Sequence, residues 1–149
     1  MRRDYFTLDA AGVQADDSGQ PIVRITYEGP TEELKSRLRR GGRPLDGDGV
    51  DITYRLQDAI QADGPKGAFA IADRVTGEYV LELNADAETV FAVTEAVADG
   101  DENNGHYRVV VRTDDGDELA TYDKSTLLVY DNDGDLLRDR SLIPSGVEI

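Results

Sequence analysis

The chain has 149 residues, enough to enclose one hydrophobic core, and 39% of them are apolar and spread along its length, which argues against a disordered acidic tail. Its 31 acidic side chains against 16 basic ones give a formal charge of −15, and no apolar run is long enough for a helical membrane span. Cysteine is absent and His106 is the lone histidine, which excludes disulfide frameworks, thiolate chemistry and multi-histidine metal clusters.

The opening Met1-Arg2-Arg3-Asp4-Tyr5 carries two positive charges with no apolar segment behind them. Neither a Sec nor a twin-arginine signal is expected, and the expected location is the cytoplasm. Tyr5 to Ala10 reads as a first strand, followed by a polar loop around Asp16-Asp17-Ser18-Gly19. Pro21 to Glu28 reads as a second, with Val23, Ile25 and Tyr27 on one face and Arg24, Thr26 and Glu28 on the other. Thr31 to Arg40 reads as a short helix, its apolar face limited to Leu34 and Leu38 at i,i+4. After a loop from Gly41 to Gly49, Val50 to Gln57 puts Ile52, Tyr54 and Leu56 on one strand face. Past the loop Ala62 to Gly67, the segments Ala68 to Asp73 and Glu78 to Asn84 form a hairpin across Arg74-Val75-Thr76-Gly77.

Asp86 to Ala98 reads as a helix with Val90, Phe91, Val97 and Ala98 on one face, Asp86 as N-cap, Glu88 in the first turn and Gly100 as stop. In the last third, Tyr107 to Arg112 and Glu118 to Asp123 flank Asp114-Asp115-Gly116-Asp117. Likewise Thr126 to Tyr130 and Leu136 to Arg140 flank Asp131-Asn132-Asp133-Gly134-Asp135; Asp-Gly admits the positive φ of tight turns. The end, Leu142 to Ile149, is apolar enough for a packed terminal strand, the alternative being an arm exchanged with a second copy. The architecture expected is a single α+β domain over residues 1–149. It is a mostly antiparallel sheet of roughly seven to nine strands, with one or two helices packed on its apolar face.

The Asp-Gly clusters resemble calcium loops, but the register fails. Gly134 falls at the fourth position of Asp131-Asp133-Asp135 and no Glu sits at the twelfth, and Asp46-Gly47-Asp48-Gly49-Val50-Asp51 misses as well. Ser145 lies in no Gly-x-Ser-x-Gly elbow, and Gly64-Pro65-Lys66-Gly67 lacks the spacer of a phosphate-binding loop. Glu32-Glu33 suit a helix start better than paired acid-base work, and His106 reads as structural or solvent-facing. No metal site and no cofactor are expected, and no catalytic residue is identified.

One segment runs against the composition. Lys35, Arg37, Arg39, Arg40 and Arg43 place five of the 16 basic residues within nine positions. Arg40-Gly41-Gly42-Arg43 resembles a fragment of an arginine-glycine box. Two bland explanations compete with a docking patch: cations at a helix C-terminus complement the dipole, and arginines pair with the protein's own carboxylates. As a patch, these residues suit an acidic protein partner or self-association better than nucleic acid, because no Phe, Tyr or Trp lies between Glu28 and Asp51 for bases to stack on.

The strings Met1-Arg2-Arg3-Asp4-Tyr5-Phe6-Thr7-Leu8, Asp73-Arg74-Val75-Thr76-Gly77-Glu78 running into Asn84-Ala85-Asp86, and Leu128-Val129-Tyr130-Asp131 through Leu142-Ile143-Pro144-Ser145-Gly146 carry a resemblance. Over nearly its full length the chain resembles a family of small acidic haloarchaeal proteins classed as a domain of unknown function. The resemblance implies a salt-rich cytoplasm, supplies no activity and transfers no functional residue. The function expected is a non-enzymatic binding or interaction domain. The alternatives are a nucleic-acid-associated protein using Lys35 to Arg43, and a small-ligand binder or enzyme with a pocket between sheet and helix.

Asp (21) outnumbers Glu (10), and Arg (13) far outnumbers Lys (3), a pattern suited to concentrated salt. Self-repulsion among so many like charges destabilises the compact state, and screening removes it. Calorimetric melting is therefore expected at higher temperature in ~2 M KCl than in ~0.1 M, where the screening length is about 10 Å. A melting temperature that is flat or falls with added KCl would contradict this.

Overall fold

The computed structural model describes residues 5–12, 20–40, 42–59, 61, 63–99 and 106–143. The loop around Asp16 to Gly19, the helix stop Gly100 and the terminal segment from Pro144 onward lie outside the described residues. Strand β1 (Phe6–Ala11) pairs antiparallel with β2 (Ile22–Tyr27), from Phe6 opposite Tyr27 to Ala11 opposite Ile22. Helix α1 (Thr31–Arg37) leads into a two-stranded ribbon of β3 (Arg39–Arg40) and β4 (Arg43–Pro44). A short 3-10 turn, Gly47–Gly49, opens an antiparallel meander of β5 (Val50–Leu56), β6 (Lys66–Asp73) and β7 (Tyr79–Asp86). Helix α2 (Ala87–Asp99) follows, then the hairpin β8 (Tyr107–Thr113) and β9 (Glu118–Lys124), and finally β10 (Leu128–Tyr130).

The α+β class stands, with both helices present, but the expected single antiparallel sheet is replaced by two mixed ones. One has the order β1-β2-β8-β9 and the other β10-β5-β6-β7. Each contains one parallel pair, β2 with β8 and β10 with β5. Alternation and Asp-Gly turns report local antiparallel neighbours, whereas Val23 beside Val109 and Leu128 beside Thr53 are distant pairings with no local signature.

Several boundaries also move. Helix α1 ends at Arg37, not Arg40: the Leu38 N–H makes the last helical bond, to the Leu34 carbonyl at 3.0 Å, and at Leu38 the backbone leaves the helical region, with ψ of 4°, and turns into the ribbon. Leu34 and Leu38 are buried, as the i,i+4 spacing requires. Asp86 is the last residue of β7, so the strand runs directly into α2, and the Ala87 N–H donates to the Pro65 carbonyl at 2.9 Å. The buried face of α2 is Val90, Val93, Thr94 and Val97; Phe91 is half-buried beneath the Arg140 guanidinium and Ala98 is exposed. Leu136 to Arg140 does not form a strand. After a single bridge from Tyr130 to Leu136 the chain turns, and the Ser141 hydroxyl accepts the Val129 N–H at 2.9 Å and donates to the Leu137 carbonyl at 2.7 Å. A side chain has taken the place of the backbone ladder.

Both sheets turn alternate residues into one contiguous core. Val23, Ile25 and Tyr27 of β2 and Val109 and Val111 of β8 meet Ile52, Tyr54 and Leu56 of β5 and Phe69 and Ile71 of β6. Edge strands β1 and β7 lie alongside each other, and α2 packs over that seam. Two buried tyrosines spend their hydroxyls on the backbone: Tyr54 donates to the Ala85 carbonyl at 2.8 Å and Tyr107 to the Thr126 carbonyl at 2.6 Å. Burial pushes the Tyr122 phenol up to about 12, with Asp46 adding to the shift.

The opposite seam is closed by Lys124, which is only 6% exposed. Its ammonium donates to the carbonyls of Gly47 and Val50, both at 2.7 Å, tying the end of β9 to the start of β5. The approach is tight enough that a Cβ on Gly47 would sit 2.9 Å from the Asp123 carbonyl oxygen. Burial lowers the lysine's pKa, as does Arg74, while Asp51, Asp48 and Asp46 oppose the shift.

Replacing Lys124 with Met keeps the volume, removes the donor from the Gly47 carbonyl and leaves the Val50 carbonyl only a 3.5 Å contact from the Arg74 guanidinium. The expected loss is about 1–3 kcal/mol, because both acceptors lose a short, charge-assisted hydrogen bond. Chemical denaturation of Lys124→Met at fixed KCl checks this, and a variant as stable as the parent would show that the closure does not depend on the ammonium.

Candidate functional site

Leu34 and Leu38 face the core, which leaves Lys35, Arg37 and Arg39 exposed, and Arg43 is exposed on the ribbon. The register sets Arg40 opposite Arg43, while the side chain of Arg40 lies outside the described part. The five basic residues thus share one end of the body. Lys35 and Arg37 sit in the last turn of α1, where they suit the helix dipole. Arg39 and Arg43 lie past the helix, so that explanation covers only part of the segment.

Pairing with the protein's own surface does not account for them either. Four arginines elsewhere meet carboxylates: Arg24 with Asp9 at 2.6 Å, Arg74 with Asp51 at 2.9 Å, Arg108 with Asp123 at 3.0 Å and Arg140 with Glu95 at 3.2 Å. Arg24 and Arg108 face their partners directly across antiparallel strands. In the basic segment, Lys35 reaches Glu32 at 3.8 Å, an exposed i,i+3 contact of small worth. Among the described residues, Arg37, Arg39 and Arg43 have no carboxylate at ion-pair distance.

Beside these arginines is a cleft of about 470 Å³ between the end of α1 and the β6–β7 hairpin. Ser36, Arg37 and Arg39 form one wall, and Thr76, Glu78 and Tyr79 form another. Tyr79 is 60% exposed and Val75, at the hairpin tip, 74% exposed; these are the large apolar side chains left in solvent among the described residues. Asp73 also lines the cleft, but its carboxylate accepts the N–H groups of Val75 at 2.9 Å and Thr76 at 3.3 Å, so it braces the turn.

The sequence pattern points away from Tyr79. Strict alternation with Leu81, Leu83 and Ala85 would turn it inward. A register shift opposite Ile71 and Ala72 makes Val80 and Leu81 both buried and flips Tyr79 to solvent, as a β-bulge does. The aromatic missing from the basic segment therefore arrives from another strand.

The remaining candidates resolve into local structure. Asp131 accepts the N–H groups of Asp133 and Asp135, each at 2.9 Å, and Asp46 accepts the Gly49 N–H at 2.9 Å. Among the described residues no three His, Cys, Asp or Glu side chains converge as a metal site would require. His106 is exposed just before β8. No described helix is long and apolar enough to cross a membrane.

The whole chain, residues 1–149, matches the model of a Family of unknown function (DUF5793), and the protein belongs to that family. No curated protein and no solved structure matches it.

Asp131 Oδ1 is taken by its own turn and no three carboxylates converge there among the described residues, so calcium is expected to find no site. Titration calorimetry in high KCl should give nothing saturable tighter than roughly millimolar. A micromolar site abolished by Asp131→Ala would reverse the assignment.

Proposed function

We propose that this member of the family is a single, non-enzymatic interaction domain of a haloarchaeal cytoplasm. In this reading it docks an acidic protein partner through Lys35, Arg37, Arg39, Arg40 and Arg43. One observation carries the reading: Arg37, Arg39 and Arg43 are exposed with no carboxylate partner among the described residues, in a chain where Arg24, Arg74, Arg108 and Arg140 are each paired with one. Unmatched guanidinium groups bind carboxylates through two parallel N–H bonds. Tyr79 beside Arg37 and Arg39 adds support, since tyrosine and arginine are the side chains most often dominant at protein interfaces.

Tyr79 also favours a second reading, single-stranded nucleic acid stacked on the ring with its phosphates on the arginines. Molar salt removes the counterion-release part of phosphate binding, so the protein partner is preferred.

The triple variant Arg37→Gln/Arg39→Gln/Arg43→Gln separates docking from stability. Stability is expected within ~0.5 kcal/mol of the parent, as for exposed substitutions generally. Affinity for a fluorescent oligo-aspartate probe is expected to fall by about tenfold or more, each charge-assisted contact being worth ~1.5–3 kcal/mol. Unchanged probe binding, or a loss of stability without a loss of binding, would defeat the proposal.

A further inference from the structure

We propose that the partner presents an extended acidic peptide, and that it lies in one continuous groove running past the basic segment, over Tyr79 and on to Arg55. This rests on the docking reading and adds the course and chemistry of the ligand. The proposed groove would join three clefts that share lining residues. On the far side of the ribbon a cleft of about 360 Å³ is walled by Lys35, Arg39 and Pro44 on one side and Leu119 and Ala120 of β9 on the other. Arg39 also lines the cleft between α1 and the β6–β7 hairpin, so the two clefts meet at this side chain. Tyr79 in turn lines both that cleft and a third, of about 380 Å³, on the outer face of β5 and β6.

The third cleft is unusual for a solvent-facing sheet. Its floor is Thr53, Ala68 and Ala70, small side chains that allow a peptide backbone to approach closely. Arg55 stands at its side, exposed, next to the turn at Gly134 and with no carboxylate at ion-pair distance among the described residues. Unmatched cations thus recur along the track at Arg37, Arg39 and Arg55, with an exposed aromatic ridge between them. Each cleft also carries a glutamate: Glu118, Glu78 and Glu82 in order along the groove. A phosphodiester chain brings a negative charge at every step and meets all three. A peptide can set a carboxylate at each arginine and a small neutral residue elsewhere, its side chains alternating as in a strand.

The test is fluorescence anisotropy with a labelled peptide of alternating Asp and Ala, ~12 residues or roughly 40 Å when extended. It compares the parent with Arg55→Gln, Tyr79→Ala and Arg37→Gln/Arg39→Gln, all at exposed sites and each checked by circular dichroism. Each variant is expected to weaken binding by about tenfold. If Arg37→Gln/Arg39→Gln weakens binding while Arg55→Gln and Tyr79→Ala leave it unchanged, the groove is wrong and the docking patch survives. If the peptide fails to bind the parent, or Arg37→Gln/Arg39→Gln has no effect, both fall. An oligodeoxythymidylate of equal length that binds the parent more tightly than the peptide at the same salt overturns the peptide class.

Discussion

The ammonium of Lys124 ties the two sheets together at the seam opposite α2. It donates to Gly47 and Val50, the residues that turn the chain into β5. The same short segment then positions the hairpin that forms one wall of the central cleft. The Arg74 N–H donates to the Gly49 carbonyl at 2.9 Å and its guanidinium pairs with Asp51, holding the β6–β7 turn against the start of β5. Asp73 braces that turn from within, and Tyr79 follows immediately at the head of β7. A buried lysine is thus linked by backbone bonds to an exposed tyrosine, and the cleft inherits its shape from the closure.

Lysine and arginine divide the work in this chain along physical lines. A compact ammonium with three donors satisfies two converging carbonyls at the Lys124 seam. Arginine is used across strands, where its fork meets a carboxylate on the facing residue, as in Arg24 with Asp9 and Arg108 with Asp123. The aspartates divide similarly. Asp46, Asp73 and Asp131 bind backbone N–H groups and hold turns, while Asp9, Asp51 and Asp123 serve as counter-ions. Against that order, Arg37, Arg39, Arg43 and Arg55 have no carboxylate at ion-pair distance among the described residues.

Alternation was a sound guide wherever a strand has one buried face and regular neighbours. Val23, Ile25 and Tyr27, and Ile52, Tyr54 and Leu56, are buried as their spacing requires. It failed where tertiary contacts supply the information. The parallel pairs arise from strands far apart in the chain, and Ser141 replaces a ladder bond with a hydroxyl, which no periodicity announces. The site divides the same way. Its cations were visible as a local anomaly of composition, but the cleft beside them was not. Tyr79 enters through a bulge that inverts the pattern used to read the strand, and Arg55 through the outward face of a strand read for its core residues.

Concentrated salt would constrain what such a site can use. With a screening length near 3 Å in molar salt, the field of a −15 body neither repels nor steers a partner beyond contact. Recognition then depends on groups that act only on touching: bidentate arginine–carboxylate bonds, close backbone packing on small side chains, and burial of an aromatic face. These are the features gathered at the clefts, in Arg37 and Arg39, in Ala68 and Ala70, and in Tyr79. Under that screening the proposed acidic partner would be compatible with an acidic protein: the net charges would vanish from each other's view, and unmatched guanidinium groups in fixed positions would decide what binds.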